Sequence, residues 1–313
     1  MALQSFGDYS RDSTIYRSTN FGFTWFPLNA PSNHWWGVAC SGDGTRIVAC
    51  APHAAITLST DSGATWSLPS IPDGPWDTIT YSADGTRIIT TVSDADVYNS
   101  PLAISADSGA TWSITNLRIW GFRAACSVSG QNIINGAYSG VDVSQDFGAT
   151  WRLTGLPTNL WWRAVASSAD GTRLIAALND YSLRTTNAIY TPSDAGQTWV
   201  LNDAPNTNWI SVASSADGCK LVAAVGMTMS GFIYRAQRVP QPVLKTRLSG
   251  ANLVLSWIVP SAPFVLQETD DITNPNWSAL PSVPVLNTST LENEVTVPLR
   301  TGNSFYRLKG IVN

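Results

Sequence analysis

The chain has 313 residues, enough for one large or two medium domains, and its 44% hydrophobic residues supply a substantial core. Charged residues make up only 13%, roughly half the ~25% of an average protein, so Ser, Thr, Asn and Gly must cover much of the surface. A net charge of −4 without a basic run excludes nucleic-acid binding by phosphate neutralisation, and no apolar run approaches the ~18 residues of a membrane span.

The first residues, MALQSFGDYS, carry neither a basic n-region nor an apolar h-region. With this composition the expected location is extracellular or periplasmic, the export signal having been removed. An eight-residue phrase then returns five times: STNFGFTW at 18–25, STDSGATW at 59–66, SADSGATW at 105–112, SQDFGATW at 144–151 and PSDAGQTW at 192–199. Its terminal Trp recurs at 25, 66, 112, 151 and 199, in steps of 41, 46, 39 and 48 residues. A period of that size marks a repeat architecture. A second phrase alternates with it: SGDGTRIVA at 41–49, SADGTRIIT at 82–90, SVSGQNIIN at 127–135, SADGTRLIA at 168–176 and SADGCKLVA at 215–223. A tight turn of this kind between short apolar runs is a hairpin signal. Each period therefore reads as four short strands, a to d, in an up-and-down meander. Four-stranded sheets at this spacing fit the blades of a β-propeller.

The S-x-D-x-G-x-T-W phrase resembles the Asp-box, or BNR repeat, of sialidase-like propellers, over residues 15–235. The resemblance implies an all-β propeller, and counting the blades along the chain gives five, with six, one of them degenerate, as the alternative. Complete blades are expected at 35–68, 76–114, 121–153 and 162–201. The fifth is expected to be composite, with strands c and d from 15–27 and a and b from 209–225, closing the ring and removing free edges. GFIYRAQ at 231–237 competes for the strand c place. The Asp, Ser and Gly of the phrase suit a tight turn and its Trp suits packing between sheets, so Asp61, Asp107, Asp146 and Asp194 read as scaffold. Sialidase chemistry is not implied: residues 1–267 contain no Glu and no R-I-P-type segment.

In a meander the a–b and c–d turns share one face, and the d–a and b–c loops share the other. The repeated phrases occupy the first face, so the second is where binding is expected. Trp35, Trp76, Trp162 and Trp209 stand six residues before the SxDG serine, with Trp120 beside the corresponding place in the third blade and Trp36 and Trp161 adjacent. They are expected either to pack between blades or to offer indole platforms at the mouth of the central channel. The b–c loops at 91–103 and 178–189 bring Asp94, Asp96, Tyr98, Asp180, Tyr181 and Arg184 towards the same mouth. Shorter loops bring His53 and Tyr138, and Arg123 and Arg163 follow the d–a aromatics. Aromatics with Asp, Arg and Tyr make a polar and stacking site.

After VPQPV at 239–243, a Pro-punctuated linker, residues 244–313 alternate in short strands. The segments LVLSW, WSAL and FYRL resemble the small C-terminal β-sandwich (fibronectin- or Ig-like) modules of secreted bacterial proteins. Cys40, Cys50, Cys126 and Cys219 show no CxxC spacing and read as small buried residues, and two distant His give no transition-metal spacing. No cofactor is expected; the one cation site these residues offer is calcium at the Asp94–Asp96 loop. Three functions fit. The leading one is a lectin-like propeller that binds a glycan or polysaccharide. The second is a glycoside hydrolase with Asp96 and Asp180 as its carboxylate pair, or a lyase. The third is an assembly scaffold like the Asp-box propellers of photosystem assembly. Oligomeric state is not legible.

Overall fold

The computed structural model describes all residues except 5–12, 21, 52–55, 72, 73, 75, 93–100, 117–120, 180–186, 193, 227–230, 238–241, 260–263 and 311–313. The described chain is all-β, in antiparallel sheets. The first sheet joins β1 (Ala2–Gln4), β2 (Thr14–Arg17) and β3 (Phe26–Pro27). The second joins β4 (Gly37–Cys40), β5 (Ile47–Cys50) and β6 (Thr57–Ser59), extended by a bridge from Leu58 to Ser67. The third holds β7 (Trp76–Tyr81), β8 (Ile88–Val92), β9 (Pro101–Ser105) and β10 (Ser113–Asn116). The fourth holds β11 (Gly121–Cys126), β12 (Ile133–Ala137), β13 (Gly140–Ser144) and β14 (Arg152–Leu153). The fifth holds β15 (Trp162–Ser167), β16 (Leu174–Leu178), β17 (Ile189–Pro192) and β18 (Trp199–Leu201), and the sixth β19 (Trp209–Ser214), β20 (Lys220–Val225) and β21 (Ile233–Gln237).

The composite blade expected from the sequence does not form. Residues 14–27 pair with Ala2–Gln4, and β20 takes Ile233–Gln237 as its strand c instead. Strand pairing depends on which edge is within reach, and two segments of equal pattern competed for one edge. Six sheets result among the described residues, and the first and sixth each carry exposed apolar residues.

The repeated phrases build the turns assigned to them. In the second sheet Asp61 Oδ1 accepts the Ser59 hydroxyl and the Thr65 amide, each at 2.8 Å. The Gly63 amide donates to Ser59 Oγ, and the Trp66 indole donates back to Gly63 O at 3.2 Å. The same bonds recur around Asp107 and Asp146. Two left-handed residues in succession close each turn, such as Phe147 at φ 62° and Gly148 at φ 85°. Amides of these turns donate to the a–b turns, Ser62 to Thr45 and Ser108 to Thr86, so both repeated phrases share one face. On that face a chain of backbone hydrogen bonds runs from blade to blade: Gly42 to Ala83, Ala83 to Val128, Val128 to Ala169 and Ala169 to Ala216, each 2.8 Å. This links neighbouring sheets without any side chain.

Beyond the linker, β22 (Lys245–Ser249), β23 (Asn252–Ile258), β24 (Phe264–Thr269), β25 (Ser278–Ala279), β26 (Val285–Asn287), β27 (Glu292–Pro298) and β28 (Phe305–Gly310) form a four-stranded and a three-stranded sheet. Both contribute to one core of Leu255, Trp257, Leu266, Val295 and Val297. This module lies against the repeated-turn face: Thr288 O sits over Gly42, and Pro242, Val243, Lys245 and Ile258 share a cavity of about 370 Å³ with Asp170, Arg173 and Asp217. The opposite face is left for other contacts.

One pair in the blades is polar and buried. Asn135 and Asp142 oppose each other across β12 and β13, 1% and 8% exposed. Both amide atoms of Asn135 and Asp142 Oδ2 have no hydrogen-bond partner among the described residues. Burial pushes the Asp142 carboxyl up to about 6, whereas turn hydrogen bonds, led by the Thr65 and Thr111 hydroxyls, hold Asp61 and Asp107 down at about 2. The signs are opposite. Asp142 favours the fold below about pH 4 and loses that contribution as pH rises to about 6. The turn carboxylates contribute above about pH 4 and lose their contribution as pH falls towards 2. Stability is therefore expected to peak between about pH 4 and 5. Asp142→Asn should raise stability by about 2–3 kcal/mol near pH 7 and by almost nothing near pH 4, read by thermal melts at the two values.

Candidate functional site

The innermost strands share a local device. Register slips by one residue between Trp76 and Thr78, Gly121 and Arg123, Trp162 and Ala164, and Trp209 and Ser211. In the second sheet the amide of Trp36 and the strand partner Gly37 both fall on Cys50, which is the same two-to-one count. A bulge re-aims the side chain it carries. The five bulged positions are Trp36, Asp77, Phe122, Arg163 and Ile210, all at the strand end next to the variable loops. Unlike the tryptophans before them, these residues do not repeat.

The recurrent tryptophans themselves are interior. Trp35, Trp76, Trp162 and Trp209 are among the largest fully buried side chains, between 0 and 2% exposed. Each packs on the preceding sheet, Trp76 against Val48, Ile56 and Leu58, and Trp162 against Ile134, Val141 and Val143. The Trp35 indole donates to Pro31 O and that of Trp162 to Pro157 O. These four indoles are therefore not platforms at the mouth. They fill the wedge between sheets in four blades, Gly121 standing at the same place in another, and this is why they recur.

Three other residues expected at the mouth do come together. Tyr138, in the β12–β13 turn, lies with its ring centroid 5.0 Å from that of Trp161, tilted by 59°. The Arg163 guanidinium sits 5.3 Å from the Trp161 ring centroid. The Tyr138 carbonyl accepts the Leu160 amide at 3.0 Å, tying the turn to the neighbouring d–a loop. Arg123, on β11, is exposed to solvent yet walled by protein. Those surroundings lower its pKa, while Asp77 and Cys50 nearby oppose the shift and Arg163 adds to it. Asp77 is only 8% exposed. Burial, and then Asp77, pushes the Cys50 thiol up, so it stays a neutral packing group. Trp36 is 44% exposed. Among the described residues this strand end carries Arg123 and Arg163, the nearby carboxylate of Asp77, and the aromatics Trp36, Trp161 and Tyr138.

Trp120, Asp94, Tyr98, Tyr181, Arg184 and His53, with the hydrolase pair Asp96 and Asp180 and the Asp94–Asp96 cation loop, lie outside the described residues. None of the four cysteines is in a disulfide. Sequence reasoning missed Asp77. Its signal was its position, one residue after a recurrent Trp, where Trp, Asp, Phe, Arg and Ile alternate without pattern.

No protein-family model and no curated protein matches the chain. Solved structures do. A GH74 xyloglucanase from Xanthomonas campestris superposes with TM-score 0.57 at 16% identity, covering 81% of this chain and 48% of its own. An ancestral GH74 enzyme gives 0.57 at 13% identity, over 98% of this chain and 47% of its own. The Niastella koreensis GH74 enzyme gives 0.55 at 17% identity, over 72% and 41%. The chain spans less than half the length of these structures, and at such identities the likeness is one of β-propeller fold.

Proposed function

We propose that this protein is a carbohydrate-binding β-propeller whose ligand sits at the mouth on the variable face. The observation that carries the proposal is the Tyr138–Trp161–Arg163 cluster, with the two rings 5.0 Å apart between centroids and the guanidinium 5.3 Å from the Trp161 centroid. Aromatic faces beside fixed polar groups suit sugars, whose rings present C–H surfaces and hydroxyls together. Trp36 extends the apolar surface, and Arg123 and Arg163 supply donors for hydroxyl or carboxylate oxygens. The shared fold with a xyloglucanase supports a polysaccharide as ligand. Binding needs no acid–base pair, and the one mouth carboxylate among the described residues, Asp77, is buried beside Arg123.

The test is a glycan array followed by product analysis on neutral and uronate-bearing polysaccharides. Retained, intact sugar is expected, with Arg163→Ala weakening it by about tenfold or more, the cost of one central contact. Cleaved sugar selects the hydrolase or lyase reading, and an array without a hit removes the carbohydrate reading altogether.

A further inference from the structure

The fifth and sixth sheets are built to one plan, but only the fifth is covered. On the fifth, Ala164, Ala166, Ile175, Ala177 and Ile189 form a face that is 0–7% exposed because the sixth sheet packs on it. The registers Ala164 with Ala177, Ala166 with Ile175 and Ala177 with Ile189 recur in the sixth sheet as Ser211 with Ala224, Ala213 with Val222 and Ala224 with Ile233. Ser211 replaces Ala164, but the two large positions stay isoleucine or valine, and Val222 is 43% and Ile233 80% exposed. Ile210 at the strand start is 40% exposed. Such a face in a protein of low surface charge is an unfinished interface.

The first sheet carries the other half. Tyr16 pairs with Pro27 as Tyr190 pairs with Leu201, so Tyr16 and Trp25 hold the places of Tyr190 and Trp199. Tyr190 and Trp199 pack on the preceding sheet, against Ile134, Val141 and Val143. Trp25 has no preceding sheet to pack on among the described residues and is 43% exposed, with Phe23 beside it at 86%. The opposite side of this sheet is already buried, through Ile15, against the second sheet.

We propose that the exposed face of the sixth sheet receives the first sheet of a second copy of this chain, head to tail, in continuation of the interface repeated between the blades. The two halves match because each is one side of the same repeated contact. They belong to the first and the sixth sheets, so one copy can use both with different neighbours. Such a heterologous contact generates a ring of copies or a filament.

Mass measured by analytical ultracentrifugation from low to high micromolar concentration tests this. The wild type is expected to rise above the single-chain 33.6 kDa with concentration. Ile233→Lys blocks one face and Trp25→Ala the other, and each variant alone is expected to remain a single chain. Both sites are solvent-exposed, so the fold should survive, as a circular dichroism melt would verify. Mixed, the two variants retain one intact pair of faces and should form a dimer that grows no further. A wild type that stays monomeric throughout, its first and sixth sheets satisfied within one copy or left exposed, overturns the proposal. So does assembly that neither substitution alters.

Discussion

Trp162→Ala is expected to lower the unfolding free energy by about 3–5 kcal/mol, the range for removing a buried aromatic and leaving a cavity. The residue has no exposed surface, and its indole donates to Pro157 O at 3.0 Å. The edge of Tyr190 meets it at 5.5 Å and 66°. Ile134, Val141 and Val143 come from the neighbouring sheet, so collapse around the cavity would have to move two blades. For a domain of this size the loss corresponds to a fall in Tm of roughly 10 °C. A graded comparison sharpens the test. Trp162→Phe loses the indole hydrogen bond as well as volume. Trp209→Phe loses volume only, because the Trp209 indole N–H has no partner among the described residues, and should cost less. Denaturant titration of the three variants gives the order directly.

Gly148→Ala is the second large effect, about 2–5 kcal/mol destabilising. The position is held at φ +85°, which costs an L-residue about 1–2 kcal/mol. A methyl there would also collide with Ile104 Cδ1, while Ile133 Cδ1 and Trp151 Cζ2 at 3.5 and 3.6 Å would be in ordinary contact. Ile104 is packed with Ile89, Leu102 and Ile133, so its shift adds about 1–3 kcal/mol of overpacking. Gly44→Ala is the control: φ is +71°, but nothing lies within 4 Å of the added methyl. It should show the conformational cost alone. Equal losses at the two sites would mean that the turn is not wedged into the neighbouring sheet.

The turns were legible because their chemistry is local. A Ser and an Asp two residues apart can satisfy the amides of their own turn, and a Gly permits the left-handed backbone, with no reference to the rest of the chain. The variable face followed from strand alternation alone. What the sequence could not settle was long-range. Residues 14–17 and Ile233–Gln237 present equivalent strand patterns, and only the distances imposed by the other blades decide which edge each one joins. The bulges were hidden as well, since a two-to-one register exists only between strands. The recurrent tryptophans were ambiguous between platform and packing. The structure separates them by burial and contact: Trp162 is fully buried in the wedge between sheets, while Trp161 is half-buried and meets Tyr138 and the bulged Arg163.

Adjacent residues on one strand entry therefore have opposite assignments, and this pair tests the account most directly. Trp161→Ala and Trp162→Ala would each be measured for Tm and for affinity towards the sugar retained by the wild type. Trp161→Ala is expected to weaken binding by about tenfold or more, as for a central aromatic contact, with Tm close to wild type. Trp162→Ala is expected to lose Tm by roughly 10 °C. A Trp161→Ala protein that melts as early as Trp162→Ala, or that binds sugar as well as the wild type, would contradict a ligand site at this mouth.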